Sequence, residues 1–403
     1  MPKLSLSFEA KLIFILSVLV AFGPMSIDMY LPAFTAIATD FKVDMSLVQY
    51  TLASFNVGIA LGQLFYGPLS DQFGRKNILL SGMLIYIVAS IGCALVVDID
   101  HMIYLRFLQA IGGCAGMVTA RAVVRDTFDG NQAARVFSTM MLIMGVAPIV
   151  APTLGGLALL YFNWRFIFWF LGVLSTVALV AVYFYLPETL PSDKRTPHAT
   201  KRSLSTYYAI FHDKLFVGYA LSAGLLQGAM FAYITGSSFA FVELFNFTEQ
   251  QYGLIFGLNA CGLIATSQLN RFLLQKFTYN KILLRAFILN FLAALTLFVC
   301  ATTGTFSIYG ITVPLFFMVS TMGVVFPNSS VGSLAHQSAR AGSASALLGT
   351  IMFTCGALAA FSVSFLYDKT ILPMVSVILI CSSLGLLTSF WLRSNLIKNN
   401  EPI

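Results

Sequence analysis

One acid and two arginines interrupt long apolar runs. Asp28 lies in a stretch from about Leu12 to Ala38 that holds no other charged residue. A carboxylate within hydrocarbon costs at least ~2.5 kcal/mol, so such an acid marks a functional site by default. Pro24 and Pro32 bracket it. Neither can donate a backbone hydrogen bond, which frees the carbonyls of Val20 and Asp28 beside the acid. Irregular backbone at this depth persists only against protein or a wet cavity. The chemistry this allows is reversible protonation; the plainer reading is an acid at the polar end of a long helix. Arg106 and Arg121 follow fifteen residues apart, four helical turns and so nearly one face. Arg106, at a depth comparable to Asp28, is expected to tune the acid or touch substrate, unless it is a structural arginine bonded to first-helix carbonyls. Arg121 lies nearer the inner mouth, to pair with an anionic substrate group or hold a gate, unless its head merely snorkels to the surface.

The elements that must position these groups follow from composition. The 403 residues are 58% hydrophobic and only 10% charged, whereas soluble domains carry roughly 25% charged residues. The chain is therefore read as an all-α integral membrane protein. Apolar stretches long enough to span as helices fall at roughly 10–38, 45–69, 77–97, 102–124, 136–160 and 164–186. A second set falls at roughly 215–241, 251–274, 282–302, 306–333, 342–367 and 371–393, which makes twelve. The first is too long for a cleavable signal and lacks a small-residue cleavage site, so it is kept as a span.

Lys and Arg in the short loops set the orientation. With a cytoplasmic amino terminus only Lys42, Arg165 and Lys369 fall outside, an asymmetry of about sixfold. Both termini are therefore expected in the cytoplasm. The net charge of +7 is a topology signal that calls for no nucleic-acid partner. The six cysteines are scattered with no CxxC pair and behave as small apolar residues, so no metal site or disulfide framework is expected. No GxxxxGK[ST], HExxH or GxSxG occurs, so neither an enzyme nor a cofactor is expected.

The one long hydrophilic break, Leu186 to Asp213, carries Pro187, Pro191, Pro197 and a basic cluster. It predicts an N-terminal six-helix bundle over 1–186, a cytoplasmic linker over 187–213 and a C-terminal bundle over 214–403. A faint repeat supports the division at a separation of 205 residues. Gln63-Leu64 matches Gln268-Leu269, and Asn131-Gln-Ala-Ala-Arg135 matches His336-Gln-Ser-Ala-Arg340. Two parallel six-helix halves place a substrate site at the midplane between them.

The stretch Gly67-Pro-Leu-Ser-Asp-Gln-Phe-Gly-Arg-Lys76 resembles the loop between helices two and three of the major facilitator superfamily. Leu105-Arg-Phe-Leu-Gln-Ala-Ile-Gly-Gly113 is similar to its fourth-helix motif, with Ala110 in place of the usual glycine. Gly145-Val-Ala-Pro-Ile-Val-Ala-Pro-Thr-Leu-Gly-Gly156 resembles the fifth-helix motif of its antiporters, and Asn163-Trp-Arg-Phe-Ile-Phe-Trp169 the loop opening its sixth helix. Met25-Ser-Ile-Asp-Met-Tyr-Leu-Pro-Ala-Phe34 together with Ala120-Arg-Ala-Val-Val-Arg-Asp126 looks like the Bcr/CflA branch, bacterial proton-coupled exporters named for bicyclomycin and chloramphenicol resistance. The resemblance implies two pseudo-symmetric six-helix bundles in a bacterial inner membrane. It also implies that the bend at Gly145, Pro148, Pro152 and Gly156 seals the halves together when the protein faces inward.

Asp71, Arg75, Arg125, Asp126 and Arg135 cluster on the inner side as a candidate gate, with Asp71 expected to meet the region Gly342 to Ser345. Exposed ion pairs are each worth little, so such a gate opens cheaply. Tyr30, Gln49, Phe55, Gln227, Phe231 and Asn259 join Arg121 as candidate substrate contacts. Asn56, Asn328, Tyr233 and Phe239 are further wall candidates. Pockets for lipophilic ligands are mostly apolar with a few placed polar groups, although amides between membrane helices are commonly structural. Glu243 and Glu249 are expected to be solvated, and His212 and His336 have no ligand spacing. The leading functional reading is a monomeric exporter of small amphipathic drugs, driven by protons that compete for Asp28. A transporter of one metabolite, such as a siderophore, peptide or amino acid, is the alternative, and a non-transport sensor a distant third.

Overall fold

In hydrocarbon a backbone has only itself to hydrogen-bond with, and each apolar stretch accordingly folds as a helix. The structure is a computed structural model that describes residues 6–128, 130–195, 199–305, 307–335, 337 and 340–398. Lys3, Pro197 and most of the stretch from His336 to Arg340 lie outside the described residues. The first half comprises α1 (Leu6–Asp28), α2 (Phe34–Phe41), α3 (Met45–Phe73), α4 (Arg75–Leu95), α5 (Ile99–Thr127), α6 (Gly130–Tyr161) and α7 (Arg165–Tyr185). After a short α8 (Ala199–Phe211), the second half comprises α9 (Lys214–Ser238), α10 (Glu249–Leu273), α11 (Tyr279–Thr303), α12 (Tyr309–Ala335), α13 (Ala341–Phe365) and α14 (Leu372–Lys398). Among the described residues there is no strand.

With α1 and α2 counted as one broken span, the described residues form twelve long helices, six before α8 and six after it. Ten spans are apolar enough to cross a membrane on length and composition alone. The other two are α3, with Gln49, Asn56 and Gln63 in its interior, and α6, of which Gly145–Tyr161 is recognised as a shorter apolar helix.

Two departures from simple spans matter. The first span breaks after Asp28 into a 3₁₀ turn, Leu31–Ala33, before α2 resumes. The stretch 187–213 holds α8, whose Tyr207 hydroxyl donates to the Leu64 carbonyl of α3 at 3.0 Å. Ile210 of α8 is fully buried in a cluster with Ala344 and Leu347 of α13. The hydrophilic composition of this stretch had signalled only a connection.

The halves meet along two seams, α3 against α13 and α6 against α10. The second is tight because small residues let backbones approach. A side chain at Gly156 would stand 3.2 Å from the Glu249 carbonyl, and one at Gly253 would stand 3.4 Å from Pro152. On the outer side Tyr50 and Phe361 pack ring to ring at 5.4 Å across the first seam. The Thr35 hydroxyl donates to Glu243 at 3.4 Å, from α2 to the π-helical turn Phe239–Leu244 that ends α9. Glu243, expected to be solvated, is exposed yet bridges the halves. Asp98 caps α5 on the outer rim, and the His101 backbone N–H it accepts holds its carboxyl below the usual carboxylate range.

Candidate functional site

Proline chemistry produces the break at Asp28. The Met29 N–H still reaches the Met25 carbonyl at 3.2 Å, but Pro32 has no N–H to return to Asp28. The chain tightens into the 3₁₀ turn, with the Ala33 N–H on the Tyr30 carbonyl at 3.0 Å. Gly155 of α6 packs directly on the buried Met29 carbonyl, an approach that no larger residue permits. Asp28, 5% exposed, lines a cavity of about 550 Å³ between the halves. Among the described residues its carboxylate has no ion pair or hydrogen bond.

The cavity extends inward from Asp28. Its wall reaches Phe137, Leu334 and Ser345, all within two turns of the inner ends of α6, α12 and α13. None of the residues in the outer contacts above lines it, so the cavity reaches toward the inner ends of the helices. Facing Asp28 on the second half, the Tyr233 hydroxyl accepts from the Asn259 amide at 2.8 Å. Its ring stacks on Phe256 at 5.7 Å. Behind it the Tyr252 and Ser237 hydroxyls are 2.8 Å apart.

Arg106 and Arg121 sit on one helix in opposite circumstances. Arg106 is wholly buried and lies off the cavity. Its guanidinium donates to Gln109 Oε1 at 2.6 Å and to the Ser26 carbonyl at 3.0 Å. Gln109 in turn donates to Ser90 at 2.8 Å. The rings of Phe55, Tyr30 and Phe168 enclose the guanidinium at 4.3, 4.5 and 5.7 Å. Arg106 thus satisfies a carbonyl in the last turn of α1 and holds the break two residues from Asp28. Arg121 lines the cavity and has no ion pair or hydrogen bond among the described residues. Gly23 packs on Met117. Asp28 lies five residues outward of Gly23 and Arg121 four inward of Met117, so the two charges stand roughly 13 Å apart along the bundle.

Of the expected wall residues, Gln227, Phe231, Tyr233 and Asn259 line the cavity. Tyr30, Gln49 and Phe55, expected on the wall, do not line it. Tyr30 and Phe55 turn inward because the desolvated guanidinium of Arg106 takes their ring faces, and the Tyr30 hydroxyl is held by Thr51 at 2.8 Å. Gln49 and Asn56 are buried within the first half, and Asn328 pairs with Asn270 at 2.8 Å. Phe239 packs on Tyr367 at the outer rim. Sequence reasoning had passed over Met117, Met230, Met352 and Phe326 as wall residues. It had used Gln63, which lines the wall against Gly349, only for the repeat. Their spacing alone does not separate a lipid-facing apolar residue from a cavity-facing one.

The inner cluster assembles within the first half. Arg75 pairs with Asp71 at 2.5 Å and with Asp126 at 2.9 Å, and donates to Ser70 at 2.7 Å. Glu188 accepts the Arg75 and Lys76 backbone N–H groups at the start of α4. Asp71, expected to meet α13, is taken by Arg75 one turn away; Arg125 is the group that approaches Gly342, 3.6 Å from where a side chain there would begin. Arg135 is exposed. Gly145, Pro148, Pro152 and Gly156 lie along the α6–α10 seam, and Gly145 and Pro148 also line the cavity. Among the described residues no cluster of three metal-ligating side chains occurs.

The profile of the Major Facilitator Superfamily matches residues 16–364. The MFS-type transporter YdgK of Bacillus subtilis is 34% identical over 395 residues, 97% of each chain. The bicyclomycin resistance protein homolog of Haemophilus influenzae is 30% identical over 393 residues, 97% of this chain and 98% of its own. A bacterial homolog of the human lysosomal transporter Spinster, solved in an inward-facing and occupied conformation, superposes with a TM-score of 0.77. That alignment covers 98% of this chain and 99% of the other at 14% identity.

Proposed function

The chain belongs to the major facilitator superfamily; from that premise we propose that it exports small amphipathic drugs from the cytoplasm in exchange for protons. Membership makes it a multi-pass membrane transporter and not an enzyme. The finer reading places it in a bacterial inner membrane as a monomer, with bundles 1–186 and 214–403 rocking about the central site and 187–213 linking them.

One observation carries this reading: an acid without a partner, at a helix break, in the wall of a largely apolar cavity. Among the described residues, Asp28 is the one carboxylate on that wall. It takes a proton when the cavity opens outward and gives it up when a cationic or polar substrate group arrives from the cytoplasm. Arg106 does not touch substrate in this scheme. It fixes the carbonyl end of α1, so that the carboxylate stays aimed into the cavity. Met117, Met230 and Met352 supply adaptable apolar contact, which suits several compounds rather than one. The bicyclomycin resistance homolog supports the drug class.

The test uses Asp28→Asn in everted membrane vesicles. Efflux driven by a pH gradient is expected to vanish, while substrate exchange without a gradient persists. If gradient-driven efflux survives, Asp28 is not the coupling group. The alternative of a single metabolite draws on Asp28 and Arg121 together, since a cation and an anion roughly 13 Å apart suit an extended zwitterion. A resistance and uptake panel separates the two: one strongly preferred charged metabolite favours the alternative, graded protection against many lipophilic compounds the first.

A further inference from the structure

Away from the central cavity, a second pocket of about 260 Å³ opens between the inner ends of α11 and α14. Lys281 and Arg285 of α11 and Arg393 of α14 stand at its rim. Leu283, Leu284, Leu392 and Leu396 form its floor, with Asn280 and Ser389 beside them. Lys281 and Arg285 are four residues apart on one helix, a spacing at which like charges repel, and Arg393 brings a third cation. Among the described residues none of the three has an acidic partner. Arg285 is held instead against the face of Phe277, 4.7 Å from its centroid.

From the pocket an apolar track runs outward along α11. Ile288, Leu292 and Leu295 are all exposed at helical spacing beyond Leu284. We propose that this pocket binds the phosphate headgroup of an anionic phospholipid of the inner leaflet, with an acyl chain along the α11 track. Three cations over an apolar floor, at the level where the membrane gives way to water, match a phosphodiester carrying hydrocarbon. Basic pockets between helices on the cytoplasmic side bind such headgroups, and each basic residue near the surface contributes about 1 kcal/mol. A free phosphate would use the same cations and leave the floor and track unexplained. No residue lines both this pocket and the transport cavity, so the site stands or falls independently of the coupling scheme.

The experiment is native mass spectrometry of the full chain released from detergent with phosphatidylglycerol, cardiolipin or phosphatidylcholine added, together with thermal unfolding in each lipid. One phosphatidylglycerol or cardiolipin molecule is expected to stay bound and raise Tm, and phosphatidylcholine to do neither. Lys281→Gln/Arg285→Gln/Arg393→Gln should lower retention at least about tenfold, from the loss of three such cations. The control Lys11→Gln/Lys214→Gln/Arg271→Gln should leave it unchanged. Should the triple variant fail to fold, Arg393→Gln alone, and Leu396→Trp filling the floor, should each still weaken retention. Equal retention in the pocket and control variants overturns the proposal. So does equal retention of all three lipids, or a rise in Tm from inorganic phosphate alone that the lipid does not compete away.

Discussion

The two halves present the same cavity with unlike chemistry. At the spacing of 205 residues that relates them, Asp28 corresponds to Tyr233 and Arg121 to Phe326, and all four line the wall. The first half contributes the charges; the second contributes aromatic faces and the Tyr233–Asn259 hydrogen bond. Backbone differs in step with side chain. Pro24 and Pro32 correspond to Ala229 and Ser237, which keep their N–H groups. α9 therefore continues through Ser238 and widens into a π-helical turn, where the first span breaks outright. At that offset, one half thus carries the acid and the broken backbone beside it, and the other carries neither.

The comparison breaks most sharply at the acid. Asp28→Asn should bring gradient-driven efflux to background, and Asp28→Asn/Tyr233→Asp should not restore it, because α9 offers neither the break nor an Arg106. Restored coupling in the double variant, read in everted vesicles, would mean that depth alone matters. Next in size is the contrast within α5. Arg106→Met leaves the Ser26 carbonyl and Gln109 without their donor, and should cost about 2–5 kcal/mol from two unsatisfied buried groups. Arg121→Gln should stay within about 0.5 kcal/mol in stability, as expected where no network is broken, while raising KM for substrates bearing an acidic group. Thermal unfolding and uptake kinetics on both variants check the pair.

On the second wall, Tyr233→Phe removes the acceptor for Asn259 and should cost about 1 kcal/mol, with a modest rise in KM and coupling intact. Loss of coupling there would blur the division between halves. The smallest effect is expected at the outer seam. Thr35→Ala removes one long, partly exposed bond to Glu243, worth at most about 0.5 kcal/mol. It should slightly raise the outward-facing population, measured by accessibility of a cysteine placed at position 50 in a cysteine-free background.

Much of this was readable from residues alone. Low charge and twelve apolar stretches dictated a helical membrane protein, since hydrocarbon tolerates little else, and lopsided Lys and Arg gave its expected orientation. Asp28 with its flanking prolines pointed to irregular backbone beside a buried acid, because burial of charge and loss of a backbone donor are local costs that any fold must meet; that the span runs through Pro24 and breaks only after Asp28 came from the structure. The wall was not readable. Phe55 and Phe231 look alike in sequence, yet the first packs on Arg106 and the second faces the cavity. Arg106 and Arg121 share a helix and nearly a face, yet one is enclosed by three rings and two acceptors and the other, among the described residues, has none. A membrane helix meets lipid, protein and cavity on three sides with similar side chains. Which side each residue meets depends on how the neighbouring helices cross, and tertiary packing alone decides that.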